Sequence, residues 1–351
     1  MQSNDRYRQQ PKRQVTPALQ FIMPRERAVS GDMALMVEGS NASVPGDDVY
    51  HANNGWSLEL PETDPYGPES RWIEIFSVGT QNFDYEITAD KPFARISKPR
   101  GNITPTPEGE VSDLRVYLAV DWDAVPEGEE GKIIFNVTSS RDYGLGNQYK
   151  MPAVYLKYKN HRVPEGFRGF VESDGHLSIE THHYTGVNGE SEDGKHYRTI
   201  NGYGKTAAGV ELVPFDIESQ TIDTAPVLLY DFYSFRSEDK ANMTVRLGPS
   251  MNTIPGRPLQ FAVAVDDAEP TVRQYIKDDP KGDPPAEGWY DAAADNGWDV
   301  TTTMEIGEGA HTLKLWALEP NLIFEKIIVD MGGLRHSYLG PPESKRVGVD
   351  D

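Results

Sequence analysis

Apolar and polar residues alternate along most of this chain in short runs separated by turn formers, the period-2 pattern of half-buried strands. The clearest case is RWIEIFS at Arg71–Ser77, where Ile73 and Ile75 alternate with Trp72, Glu74 and Phe76. Similar runs at 33–38, 83–89, 113–121, 131–138 and 153–157 predict further strands, with turn clusters at 98–101 and 126–128 between them. A polar stretch carrying Pro164 follows at 160–166 and marks a boundary. Beyond it, runs at 167–171, 177–180, 209–213, 225–235, 242–247, 259–266, 299–306, 311–318 and 322–329 predict a second set of strands. The segment Gly307-Glu308-Gly309 reads as a hairpin connector between the runs 299–306 and 311–318.

No stretch sustains the 3.6-residue apolar period of a long helix, and only 291–297 reads as a short helical turn. The expected fold is therefore all-β, two antiparallel β-sandwich domains over 30–160 and 164–345, with a linker at 1–29 and a tail at 346–351. The last run, 322–329, has Glu325 and Lys326 as its only charges and predicts a core strand. Gly332-Gly333 and Pro341-Pro342 after it impose an irregular segment.

Composition narrows the partners. The chain has 351 residues, 37% of them hydrophobic, enough for two or three cores, and 34 Lys+Arg against 55 Asp+Glu give a net charge of -21. Such a surface repels phosphate backbones and anionic headgroups, so neither nucleic acid nor a membrane is an expected partner. With Cys 0 there are no disulfides, thiolate metal sites or cysteine nucleophile. Sequons at Asn41, Asn102, Asn136 and Asn242 point to an extracellular, glycosylated protein, although no signal peptide is visible in the chain. A secreted protein with this N-terminus is expected to be a piece of something longer.

Several segments together, HTLKLWALEPNLIFEKI, DMGGL..SYLGPPES, FVESDGHLSIETHHYT and AVAVDDAEP, resemble the C-terminal domain of glycoside hydrolase family 115, the xylan alpha-1,2-glucuronidases. LPETDPYGPESRWIEIFSVGT extends the resemblance upstream. It implies an immunoglobulin-like first sandwich and a second one like the jelly rolls of carbohydrate-binding modules. In that family the catalytic acids lie in an upstream (β/α) barrel, which requires strand–helix alternation not seen here. The resemblance thus implies no catalytic residues in this chain. It implies instead an accessory role beside the catalytic domains of the parent enzyme, with xylan or another polysaccharide, or a second copy in a homodimer, as further partners.

Candidate binding chemistry lies in two places. Trp289, Tyr290 and Asp291 sit in a glycine-bearing, acid-rich loop, and Tyr338 lies in the tail; flat rings stack on pyranose faces while acids hold hydroxyls. The alternative is packing over an edge. Glu180 opens the segment ETHH, which looks like the first strand of carbohydrate-binding sandwiches whose structural calcium uses two glutamates two apart. His182 stands where the second is expected, and Glu325 could supply an acidic ligand from the closing strand. His182 and His183, as neighbours on a strand, should point to opposite faces and not share one ion. Asp266-Asp267 reads as an acidic turn, with a cation site as the alternative.

Overall fold

The computed structural model describes residues 33–40, 43–44, 58–105, 113–140, 151–189, 194–250, 252, 254–276 and 288–349. Asn41 and the expected linker 1–29 lie outside the described residues.

The first unit stacks two five-stranded sheets. One runs, edge to edge, Ser43–Val44, Met33–Val37, Arg71–Ser77, Asp113–Val120, Ala94–Ile96; the other runs Leu58–Thr63, Val154–Lys159, Glu130–Ser139, Phe83–Ala89, Arg100–Ile103. All pairs are antiparallel except Leu58–Thr63 with Val154–Lys159. The alternation of Arg71–Ser77 appears directly in burial: Ile73 and Ile75 enter the core with Leu35, Val116, Phe83 and Phe135. On the outer face Arg115 lies 4.1 Å over the Trp72 ring and 3.1 Å from Glu74.

The second unit is a larger sandwich. One sheet runs Thr271–Ile276, Leu259–Val265, Gly309–Ala317, Val227–Ser234, Gly169–Val171, Arg346–Val347; the other runs His196–Asn201, Ala208–Val213, Ile323–Asp330, Glu238–Leu247, Trp298–Ile306. The strand His176–Glu180 also pairs with Ile323–Asp330, which makes the latter central, bonded to three strands. The core joins Phe170, Tyr230, Phe232, Phe261, Phe324 and their neighbours. The fold is all-β and two-sandwiched as the pattern predicts, with one α-helix among the described residues, Trp289–Asp295, starting two residues before the expected turn.

Two local expectations fail. Trp298–Ile306 and Gly309–Ala317 are not a hairpin: they belong to opposite sheets, so Gly307-Glu308 carries the chain across the sandwich edge. The cluster at 98–101 is not only a turn, because Arg100–Ile103 pairs with Phe83–Ala89 as an edge strand.

A buried cation joins the two units. Arg71, 1% exposed, holds Glu38 at 3.0 Å within its own sandwich and Asp174 of the second at 2.9 Å. Asp64 accepts a 2.6 Å hydrogen bond from Ser173 Oγ, and the Tyr66 hydroxyl accepts one from the Val163 amide at 2.9 Å. Behind these contacts His161 stacks on Phe235 at 3.5 Å. The backbone there leaves no room: a Cβ on Gly333 would lie 1.9 Å from the Asp174 carbonyl oxygen, so this position needs glycine for close approach.

Removing one member of a buried ion pair strands its partners without compensation, which costs about 3–5 kcal/mol. Arg71→Met is therefore expected to lower the unfolding midpoint by several degrees and to split a single calorimetric transition into two. An unchanged single transition would show that the two units do not depend on this pair.

Candidate functional site

The central strand Ile323–Asp330 carries a β-bulge. Arg246 pairs with Lys326 and Leu247 with Phe324, so Glu325 has no residue opposite it on Glu238–Leu247. The bulge shifts the apolar alternation from Leu322 and Phe324 to Ile327 and Val329, all of which reach the core. Glu325 and Lys326 are consequently both buried, at 1% and 2% exposure. Glu325 Oε2 accepts the Lys205 amide at 3.2 Å while Oε1 has no partner, and burial pushes its carboxyl above the usual range.

Lys326 lies in a row of charges across four strands. Register places Glu180 beside Lys326, Lys326 beside Arg246 and Arg246 beside Asp299. Lys326 Nζ is 3.0 Å from Glu180 Oε1, and Arg246 grips Asp299 with two 2.8 Å bonds. Both cations also donate to the tail, Lys326 to the Pro341 carbonyl at 2.7 Å and Arg246 to the Leu339 carbonyl at 3.3 Å. Further along, Ser178 and Ser344 exchange two hydrogen bonds, and Glu343 accepts from the Glu180 amide at 2.9 Å. The tail is thus strapped over the sheet before Arg346–Val347 joins the opposite one.

This arrangement bears on the calcium expectation at Glu180 and Glu325. An ammonium already neutralises Glu180, whose other oxygen takes Thr206 Oγ1 at 2.7 Å, and among the described residues no three His, Asp or Glu side chains gather as a metal site. Glu180 thus fits a buried lysine rather than a hard cation, while Glu325 meets only the Lys205 amide. His182 and His183 do not point to opposite faces, because Thr181–His183 is a 3-10 turn rather than strand; their rings lie 3.9 Å apart, and His183 Nδ1 is 2.8 Å from Glu343. Asp266 forms an acidic turn, with its carboxylate on His311 Nδ1 at 2.7 Å and on the Thr312 amide at 2.9 Å.

The predicted aromatics fall near the same face. Trp289, Tyr290 and Asp291 begin the short helix, where Tyr290 is 71% exposed and meets Trp289 edge-on at 5.4 Å. Tyr338, 59% exposed, lies under Lys205 Nζ at 4.3 Å. Arg246 bonds Leu339, next to Tyr338, and also senses the charge of Asp295 at the helix end. Asn102, Asn136 and Asn242 are exposed on strands, with Asn102 Nδ2 donating to Asp84 at 2.8 Å and Asn242 Oδ1 accepting from Thr303 at 3.3 Å.

A cavity of about 810 Å3 lies in the crevice between the units. That volume falls in the range of roughly 300–1,000 Å3 usual for ligand sites. The first sandwich supplies the turn at 64–69 together with Val120 and Trp122; the second supplies Ser173, Asp174 and His176; the tail closes it with Arg335, His336, Ser337 and Pro341 to Lys345. Trp122 sits in the 3-10 turn Trp122–Ala124, half-buried against the first core. His176 Nδ1 faces the Asp174 carbonyl at 3.3 Å, and burial lowers its pKa, keeping the ring neutral. In the sequence, residues 64–69, 173–176 and 337–344 stand within the segments that carry the family resemblance, without any sign that they meet in one crevice.

The described residues thus form two all-β sandwiches joined through buried ion pairs, with a crevice between them. A family model, the glycosyl hydrolase family 115 C-terminal domain, matches residues 169–343, and the chain belongs to that family through this half. No curated protein matches the chain. Among solved structures, a family 115 4-O-methyl-alpha-glucuronidase with specificity for decorated arabinogalactans is 19% identical over 50% of this chain and 19% of its own, with a TM-score of 0.34. This chain therefore spans about a fifth of that enzyme. A carbohydrate-binding module of a Cellvibrio mixtus lichenase, in complex with cellotriose, is 11% identical over 44% of this chain and 95% of its own, TM-score 0.28. An Arthrobacter globiformis isomalto-dextranase is 8% identical over 79% and 36%, TM-score 0.30.

Two outcomes follow from these groups. Lys326→Met leaves Glu180 buried without its counter-charge, so stability should fall by about 3–5 kcal/mol, and amides at 337–345 should lose hydrogen-exchange protection. A chelator should leave the native unfolding midpoint unchanged, whereas a chelator-induced drop would restore the calcium reading.

His161 is neutral in the fold because burial lowers its pKa, opposed by Asp64 at 3.9 Å. A base with a lowered folded pKa binds more protons when unfolded, so stability falls as pH drops below about 6.5. Burial raises Glu172 and Glu325, which lose their charge penalty on acidification and act in the opposite direction. The readout is therefore the difference between variants: His161→Phe, which keeps the stack on Phe235, should flatten the midpoint's decline between pH 7 and pH 5.

Proposed function

We propose that this chain is a non-catalytic accessory region of a xylan alpha-1,2-glucuronidase of glycoside hydrolase family 115. It would support the catalytic domains of the parent enzyme and contact polysaccharide or a second copy of the chain. The match over 169–343 carries this reading. The interdomain lock at Arg71 supports it, because a scaffold must hold its neighbours in one orientation. The described residues form stacked sheets and contain no ring of parallel strands that could host barrel chemistry. The exposed sequon side chains at Asn102, Asn136 and Asn242 are compatible with glycosylation in an extracellular protein.

A second reading, a stand-alone carbohydrate-binding protein, is favoured by the exposure of Tyr290 and Tyr338. The purified chain is expected to release no 4-O-methylglucuronic acid from glucuronoxylan, as measured by chromatography of the soluble products. Sustained turnover, proportional to protein added, would overturn the non-catalytic reading.

A further inference from the structure

We propose that the crevice between the two sandwiches is a binding site for a short segment of neutral polysaccharide, distinct from the exposed aromatics of the helix Trp289–Asp295. The inference rests on the accessory reading above and assigns its carbohydrate contact to a place. The cavity is built by three separate parts of the chain, and its walls are held by the buried Arg71 lock rather than by mobile surface side chains.

The charge of the ligand follows from the pairing of the wall. Arg71 is taken by Glu38 and Asp174, and Arg335 by Asp174 at 3.1 Å and Glu38 at 3.7 Å. Asp64 is taken by Ser173 Oγ and by the amides of Tyr66 and Gly67 at 2.7 and 2.9 Å, and Glu343 by His183. Lys345 bonds the Pro65 carbonyl at 3.3 Å, and Glu69 lines the same crevice. A charged ligand reaching Arg71, Arg335 or Asp64 would have to break one of these pairs, and the net charge of -21 adds long-range repulsion of polyanions. A neutral ligand meets no such cost.

The remaining surface has the two chemistries a sugar requires. Trp122, Val120, Pro65 and Pro341 offer apolar faces for the C–H side of a pyranose ring. The neutral His176 imidazole, His336 and the Ser337 hydroxyl offer donors and acceptors for its hydroxyls. Few, placed polar groups among apolar walls fix orientation without requiring a charged group on the ligand.

Isothermal titration calorimetry of the full chain with xylohexaose, and with a 4-O-methylglucuronate-bearing xylo-oligosaccharide of equal length, tests this. Xylohexaose is expected to bind, the charged oligosaccharide no more tightly, and Trp122→Ala to weaken binding at least tenfold. Trp122 also packs on the first core, so Ser337→Trp, at an exposed position, provides an independent block with the same expected loss. Trp289→Ala should change the affinity less than twofold. Binding that survives Ser337→Trp, that is lost in Trp289→Ala, or that prefers the charged oligosaccharide overturns the inference. So does the absence of binding to xylohexaose and to comparable mannan and arabinogalactan fragments. None of these results bears on turnover, which alone decides the non-catalytic reading.

Discussion

A guanidinium removed from water must be neutralised where it sits, and at Arg71 the neutralising groups come from different domains. Glu38 lies on the neighbouring strand end, but Asp174 belongs to the turn that opens the second sandwich, and Arg335 of the tail shares both carboxylates. With Glu38 alone the buried Arg71 would lack its second carboxylate, and without Arg71 the acids Asp174 and Glu38 would be left to the more exposed Arg335. The relative placement of the sandwiches is therefore tied to these ion pairs. The tight approach of Gly333 to the Asp174 carbonyl extends the same constraint into the tail. Every wall of the crevice descends from this seam, so its shape is a property of the pair and of neither sandwich alone.

The tail obeys a second constraint of the same kind. Once the bulge at Glu325 turns Lys326 to the outer face, an ammonium with 2% exposure needs more than one acceptor. Glu180 supplies the charge and the Pro341 carbonyl supplies a hydrogen bond, so the tail is drawn across the sheet to complete the lysine's coordination. Pro341 and Pro342 suit this path, since a chain crossing strands at an angle has no ladder to lose. The strap then covers the exposed edge of His176–Glu180, which would otherwise offer unpaired amides to another sheet.

Strands with one buried face were legible because alternation reports directly on burial, as at Arg71–Ser77 and Phe83–Ala89. Leu58–Thr63 escaped because Pro61 interrupts it, which is tolerated at a sheet edge, and His196–Asn201 escaped because its exposed edge position leaves mainly Tyr197 turned inward. The supposed hairpin at 307–309 failed for a different reason: a glycine connector fits both a tight turn and a corner between sheets, and only pairing partners separate the two. The site was less legible than the fold. Arg71 reads as a charged residue at a strand start, and nothing local distinguishes it from a solvated one. Its role depends on Asp174, a hundred residues away in sequence and set by the packing of two domains. Glu180 and Glu325 were singled out for a cation, and the structure supplies one to Glu180 from the chain itself, the neighbouring Lys326.

The acid excess also has a structure that composition conceals. Glu172, Glu211 and Glu319 are each buried and each is met by an arginine reaching in from a more exposed position, Arg236, Arg198 and Arg257 respectively. An arginine can do this because its long apolar stem lies against the protein while the planar head bonds a carboxylate and stays partly hydrated, which reduces the desolvation cost of the pair. These three arginines are thereby committed to interior acids and subtract from the positive charge left for the outer surface. The net charge of -21 is thus a statement about the exterior and its solubility. In the seam, by contrast, Arg71 and Arg335 are matched by Glu38 and Asp174, so the charge of the interior there is set by local pairing and not by the field of the whole molecule.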